Sequence, residues 1–404
     1  MDASLRWHDD HRGRDARPLK NRCPTVLRLR HKEASGPGTV HRHACFRHQC
    51  HTQFDCVRGG FCGSDYFSHL RELCELPAPL SLLLRLRMTT ESAFIASLQA
   101  LATHPAARGL KDDVAVLSPP LGRDLVLTHD VLVEGIHYRA EDPPGDVAWK
   151  LLAVNLSDLA GKGARPIGVL TGIAIGPDSV WDMAFVAGLG RALGHFDTAL
   201  LGGDTTASPG PRVLGLTAIG WVPPGGAPSR TGARPGDRLW VTGTIGDAGA
   251  GLHIADPGNE AERFLAKRYR LPMPRLAAGV ALAPHVSAMM DVSDGLLLDA
   301  RRMAAASGVS IEIDLAVVPL SDAWRAIRGD ALPDRLEAAS SGDDYELLFA
   351  AGADADAEIE SLSERLGLGI TPVGRVGEGA GLSLVDRGTP VALPERLGFE
   401  HGRG

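Results

Sequence analysis

After Met88, carboxylates recur at the ends of short apolar runs. Asp112-Asp113 precedes Val114-Ala115-Val116-Leu117, and Leu125-Val126-Leu127 runs into Thr128-His129-Asp130. Leu200-Leu201 leads into Gly202-Gly203-Asp204-Thr205-Thr206, and Met289-Met290 into Asp291-Val292-Ser293-Asp294-Gly295. A fifth place is Asn155-Leu156-Ser157-Asp158. One acid after a strand is ordinarily a turn residue or a helix cap. Five such places, several beside Gly, Ser or Thr, point to a charged site. Ligands of α/β folds gather at strand ends, and a carboxylate cluster needs something cationic to neutralise it. No cysteine follows Cys74, which excludes a thiol nucleophile and argues against zinc in this part. Hard oxygen ligands point instead to magnesium held with the phosphates of a nucleotide.

The elements that must carry these residues are short strands and one clear helix. Leu151, Leu152, Val154, Leu156 and Leu159 fit helical spacing, which predicts a helix from Trp149 to about Ala160. The strands are expected to stop at the acids. No Gly-x4-Gly-Lys-Ser/Thr loop is present, and Gly188-Leu189-Gly190 lacks the third glycine of a dinucleotide fingerprint. Gly243, Gly246, Gly249 and Gly251 follow Leu239-Trp240-Val241, where backbone could approach phosphates or simply turn tightly. Arg230 reads either as a phosphate partner or as a solvated surface residue. No Gly-x-Ser-x-Gly elbow occurs.

The chain has 404 residues, 44% hydrophobic and 23% charged, which is ordinary globular composition and a length for two domains plus an extension. No apolar run approaches membrane-spanning length. The net charge of -7 gives no reason to expect nucleic acid. Residues 1–87 differ from the rest: 15 Lys+Arg against 9 Asp+Glu, a balance of +6, with all 6 cysteines. Residues 88–404 carry 27 against 40, a balance of -13. Cys45, Cys50, His51, Cys56 and Cys62 lie close together, but their spacings match no zinc ribbon or finger. The arginines are scattered rather than clustered as in a nucleic-acid arm, and no apolar segment forms a secretory signal. Residues 1–87 are therefore expected to be disordered or foreign to the natural protein, with Met88 reading as a start. Domains are expected at 88–224 and 225–404, divided where Trp221-Val222 meets Pro223-Pro224-Gly225-Gly226.

Six segments, in order, resemble those of the thiamine-monophosphate kinase family, in the superfamily of aminoimidazole ribonucleotide synthetase. They are Asp112–Leu117, Asp130-Val131-Leu132-Val133-Glu134-Gly135-Ile136-His137, Ala153–Ala160, Gly202–Thr206, Asp291–Leu296 and Gly342-Asp343-Asp344-Tyr345-Glu346-Leu347. The resemblance spans Met88–Gly404. It implies a two-domain α/β (α+β) subunit whose N-terminal half forms a homodimer with a shared β-barrel, and ATP and several magnesium ions in a groove between subunits. It implies direct in-line transfer of the γ-phosphoryl of ATP to thiamine monophosphate, giving thiamine diphosphate in the last step of its biosynthesis. A cytoplasmic location follows, without membrane or nucleic-acid partners.

By position, the resemblance makes Asp113, Thr128, His129, Asp130, Asp158, Asp204, Asp291 and Asp294 the metal-binding residues. Gly203, Asp204, Arg230 and Ser293 become ATP contacts, and His137, Asp343 and Phe399 substrate contacts. No dedicated base is implied, since a phosphate oxygen is already anionic; the metal cluster and Arg230 carry the charge. Three residues depart from the family pattern. Lys111 stands where glycine is usual before the paired aspartates. His129 replaces threonine, so that metal site is expected to be weaker or to use the main-chain carbonyl. Ser341-Gly342-Asp343 replaces Gly-Gly-Glu, shortening the acid by one methylene. Lys111 and His129 also motivate a rival reading, a catalytically weak nucleotide-binding or regulatory protein of the same fold. The related synthetases and hydrogenase-maturation proteins fit less well, lacking here their Asp-Gly-Val-Gly-Thr-Lys segment or a cysteine after position 74.

Overall fold

Strand-forming runs and amphipathic stretches alternate from Asp124 onward, and a computed structural model resolves them into two sheets flanked by helices. It describes residues 90–400, so the readings of 1–87 lie outside the described residues. Helix α1 (Thr90–Gln99) is followed by β1 (Asp124–Val133), α2 (Pro144–Ala160), β2 (Arg165–Ile175), α3 (Ser179–His195), β3 (Ala199–Ala207) and β4 (Val213–Val222). These strands form one sheet in the order β1-β4-β2-β3, antiparallel except for the parallel β2–β3 pair. The sheet is open, with β1 and β3 as its edges. Helix α2 packs across β1 and β4, and α3 packs on α2, burying Leu151, Leu156, Phe185, Leu189, Leu214 and Leu216. Alternation along β1 leaves Leu125, Leu127 and Val131 exposed on its other side.

The second half comprises β5 (Arg238–Thr242), α4 (Asp247–Leu252), α5 (Glu260–Arg270), α6 (Leu276–Leu282), β6 (Ala288–Val292), α7 (Leu296–Ser307) and β7 (Ser310–Asp314). It continues through α8 (Asp322–Ile327), α9 (Leu332–Ser340), β8 (Glu346–Ala351), α10 (Asp356–Leu366), β9 (Ile370–Gly377), β10 (Gly381–Asp386) and β11 (Thr389–Val391). Its mixed sheet has the order β11-β10-β7-β9-β5-β8-β6. The unbroken apolar runs of β5, β6 and β8 arise because successive residues enter opposite cores. Leu239, Val241, Met290, Leu348 and Ala350 join one core with α7, whereas Trp240, Met289, Leu347 and Phe349 join another with α6 and α10. Strands up to Val222 belong to the first sheet and those from Arg238 to the second.

Two expectations about element limits change. Helix α2 begins at Pro144, ahead of Trp149, because proline is tolerated in a first turn where N–H groups lack helical partners. Strand β1 passes through Thr128-His129-Asp130 to Val133, Asp204 lies inside β3, and Asp291 lies inside β6. These acids are accommodated by the fold rather than ending their strands: the Asp130 N–H donates to Asn155, Asp291 accepts the Ser157 hydroxyl, and Asp204 lies exposed on an edge strand. The halves meet at the end of α2. A Cβ on Gly279 would stand 2.1 Å from the Ala160 carbonyl oxygen, and one on Gly161 3.0 Å from the Asp291 nitrogen. Only glycine permits this approach, which brings Asp158 on α2 beside Asp291 on β6. Among the described residues no helix is long and apolar enough to cross a membrane.

Candidate active site

A cavity of about 650 Å³ collects Asp130, Asp158, Asp291 and Asp294 with His129, Ser293, His137, Asp343, Tyr345 and Phe399. The helical motif on α2 explains how. Asn155 accepts the Asp130 N–H at 3.0 Å and donates to the Leu151 carbonyl at 2.9 Å, fixing β1 against the helix. Ser157 donates to Asp291 at 2.7 Å, fixing β6. Asp158 accepts the Thr128 hydroxyl, which ties Thr128 to the cavity although it does not line it. Across the loop before α7, Asp299 accepts the N–H groups of Ser293 at 3.1 Å and Asp294 at 3.0 Å. Arg302 pairs with both Asp294 and Asp299.

Burial, then repulsion from Asp158 and Asp294, pushes Asp130 up to about 6. Burial, then repulsion from Asp158, pushes Asp291 up to about 8. Arg302 counters Asp294, but among the described residues no lysine or arginine ion-pairs with Asp130, Asp158 or Asp291. Nor do three acidic or histidine groups there form a ready-made metal cage. The donor set fits magnesium: all-oxygen, short of positive charge, and leaving coordination places for water and phosphate oxygens. A pH prediction follows. A carboxyl whose folded pKa exceeds its unfolded value near 3.8 holds its proton longer in the native state. Stability is therefore highest below that value and falls as pH rises toward 8. Without divalent metal, the protein should lose on the order of 2–4 kcal/mol between pH 5 and pH 8. Magnesium should raise Tm more at pH 8 than at pH 5.5, because it competes with protons. Thermal melts in EDTA and in magnesium at both values check this; an equal or larger magnesium effect at pH 5.5 would contradict it.

The Asp343-Asp344-Tyr345-Glu346 segment reaches the cavity by alternation. Asp344 and Glu346 point into the second half, where Asp344 accepts the Gly246 N–H at 2.7 Å and Glu346 pairs with Arg268 and Arg275. Asp343 and Tyr345 face the cavity instead. Their φ values of 69° and 52° are left-handed, a strained state for non-glycine residues that surrounding anchors must hold. Lys150 donates to Asp343 at 2.8 Å, and the Tyr345 hydroxyl donates to it at 3.0 Å. His137 accepts the Val133 N–H at 3.0 Å. The C-terminal Phe399 is placed by its own N–H, which donates to the Asp294 carbonyl at 2.9 Å.

A second cavity, about 550 Å³, holds Asp113, Gly203 and Asp204. A Cβ on Gly203 would stand 2.1 Å from the Thr171 carbonyl oxygen, so the chain passes here only as glycine. Register places Asp130 opposite Leu216, Leu216 opposite Thr171, and Thr171 opposite Gly203. The two cavities thus sit at opposite edges of the first sheet, three strand spacings or roughly 14 Å apart. Arg230 lines neither; it is exposed, and its carbonyl accepts the Ser307 hydroxyl at 3.0 Å. The glycines after β5 serve mainly as turns and contacts: Gly243 abuts Glu346 and Gly251 abuts Leu265, while Gly249 lines the larger cavity. Sequence reading did not single out Lys150, Tyr345, Asp299 or Arg302. A lysine within the apolar pattern of a helix was the one available signal for Lys150.

The chain matches the family model of AIR synthase related proteins, N-terminal domain over residues 111–222 and C-terminal domain over residues 234–387. A thiamine-monophosphate kinase from Caulobacter vibrioides is 42% identical over 307 residues, covering 74% of this chain and 86% of that protein. The crystal structure of thiamine-monophosphate kinase from Stenotrophomonas maltophilia matches with a TM-score of 0.67 at 36% identity, covering 74% of this chain and 96% of that one. AaThiL complexed with AMPPCP and TMP matches with a TM-score of 0.61 at 30% identity, covering 70% of this chain and 89% of that one. The chain therefore belongs to the AIR synthase related proteins and, within them, to the thiamine-monophosphate kinase family.

Proposed function

We propose that this chain transfers the γ-phosphoryl group of ATP directly to thiamine monophosphate. One observation carries the reading most: four aspartates share a cavity with His137, Asp343 and Phe399, a charged phosphate-side set beside an aromatic-lined acceptor set. Relatives with the kinase name, and a solved relative complexed with AMPPCP and TMP, supply the substrate identity. A terminal phosphate oxygen of thiamine monophosphate attacks the γ-phosphorus, the bond to the bridging oxygen breaks, and ADP leaves. No protein base is needed, because the attacking oxygen carries its own charge. Asp343 faces the cationic thiamine portion, with His137 and Phe399 beside it. Gly203, Arg230 and Ser293 serve ATP, Arg230 by moving into reach of the phosphates. Asp113, Thr128, His129 by its carbonyl, Asp130, Asp158, Asp204, Asp291 and Asp294 are the residues that would hold magnesium. When bound, magnesium supplies neutralisation of phosphate charge and orientation for in-line displacement.

The site is completed by a second copy of the chain. Support comes from the open sheet, its two unpaired edges each carrying part of the acidic set, and the exposed Leu125, Leu127, Val131 and Val213. Two such sheets closing edge to edge would make a shared barrel. Domain limits of 88–224 and 225–404 are supported by the change of sheet between Val222 and Arg238. The net charge of -7 supports small metabolites rather than nucleic acid as partners, and the proposed location is the cytoplasm. The test incubates the protein with ATP, magnesium and thiamine monophosphate and follows thiamine diphosphate by chromatography. Product that disappears with EDTA and without thiamine monophosphate is the expected result. Magnesium-dependent ATP binding with no product would favour the regulatory reading.

A further inference from the structure

Lys150 is buried in α2, with 3% of its side chain exposed. An ammonium there must satisfy three N–H donors or meet a large desolvation penalty. Its partners all lie outside its own helix: Asp343 at 2.8 Å, the main-chain carbonyl of His137 at 3.1 Å, and the ring of Tyr269, 3.9 Å from the nitrogen to the centroid. His137 belongs to the turn after β1, in the first half, and Asp343 to the segment before β8, in the second. One buried cation thus joins the two halves at the two residues assigned to the acceptor. Both line the larger cavity, and Lys150 does not. Asp343 is held at one oxygen by Lys150 and at the other by the Tyr345 hydroxyl, yet 33% of its side chain remains exposed. Its backbone is left-handed as well, so without these holds the segment has a lower-strain alternative.

We propose that Lys150 is a positioning residue for acceptor recognition, which acts through Asp343 and fixes the orientation in which that carboxylate meets a cationic nitrogen heterocycle. The inference rests on the kinase reading and extends it to a residue that touches no substrate. Its physical content is preorganisation: a carboxylate already held at two points loses little freedom when the ligand arrives. An ion pair that served folding alone would change stability without distinguishing the two substrates.

The experiment compares the wild-type chain with Lys150→Met, Asp343→Asn and the double variant, measuring kcat and both KM values together with Tm. For Lys150→Met, KM for thiamine monophosphate should rise about tenfold or more, with KM for ATP within about twofold of wild type. In the Asp343→Asn background the same change should add less than about twofold, because a residue that acts through Asp343 has nothing left to act on. Lys150→Arg, which keeps the charge, should recover part of the loss, and it carries the comparison if Lys150→Met does not fold. Equal rises in both KM values, an unchanged KM for thiamine monophosphate, or fully additive effects with Asp343→Asn would overturn the inference while the kinase reading stands. A wild-type chain that makes no thiamine diphosphate would overturn both.

Discussion

Asp204→Asn is expected to lower kcat by on the order of 100-fold or more while leaving the fold unchanged. Asp204 is exposed on edge strand β3, in the cavity that also holds Asp113. Its backbone pairs with β2, but among the described residues its side chain has no hydrogen-bond or ion-pair partner. Asparagine keeps its shape and removes its charge. A surface change of this kind ordinarily alters stability by no more than about 0.5 kcal/mol. The cost should therefore fall on the transition state, where charge on the transferring phosphoryl group must be countered. Steady-state kinetics with a thermal melt checks both halves of the statement. Near-normal turnover would contradict the assignment of Asp204 to the metal set.

Glu346→Ala should show the opposite signature, with a loss of about 3–5 kcal/mol in stability. Glu346 is wholly buried and receives Arg275 Nε at 2.6 Å, Arg268 at 2.8 Å and the Thr242 hydroxyl at 2.7 Å. Deleting the carboxylate leaves two guanidinium groups, Arg268 largely buried and Arg275 partly so, without their shared counter-charge. The adjacent Gly243, at φ 61°, has no room for a Cβ against that same carboxylate, so the network is packed as well as paired. Because Glu346 anchors the segment carrying Asp343, any protein that survives folding should also have a raised KM for thiamine monophosphate. Urea unfolding measures the first effect; a loss below about 1 kcal/mol would show that the pairs are replaceable by water.

The difference between these residues marks what could be read from the chain. Asp130, Asp158, Asp291 and Asp294 were visible because acids recur at several apolar runs, each unremarkable alone, and they do share one cavity. Asp204 was visible for the same reason but lies at the opposite sheet edge, a separation that depends on strand order rather than on any local pattern. Lys150 and Glu346 were much less legible. Lys150, a charged residue inside an apolar stretch, meets Asp343 from 193 residues away. Glu346, although it stands in the acidic Asp343–Glu346 segment, has its side-chain partners 71 to 104 residues away. The same holds for strand ends: β1 continues past Asp130, which lies on the side of Val126 and Leu132 that faces α2, where its N–H donates to Asn155, 25 residues away.

The most direct measurement is complementation between two inactive variants, Asp130→Asn and Asp204→Asn, co-expressed in equal amounts. If each site takes Asp130 from one copy and Asp204 from the other, a mixed dimer contains one fully intact site and one doubly altered site. With random pairing, activity should recover to about a quarter of wild type, although each variant alone is nearly inactive. If both aspartates act within a single chain, every site in every dimer keeps one lesion. Activity would then stay at the level of the separate variants, and the shared site would be wrong.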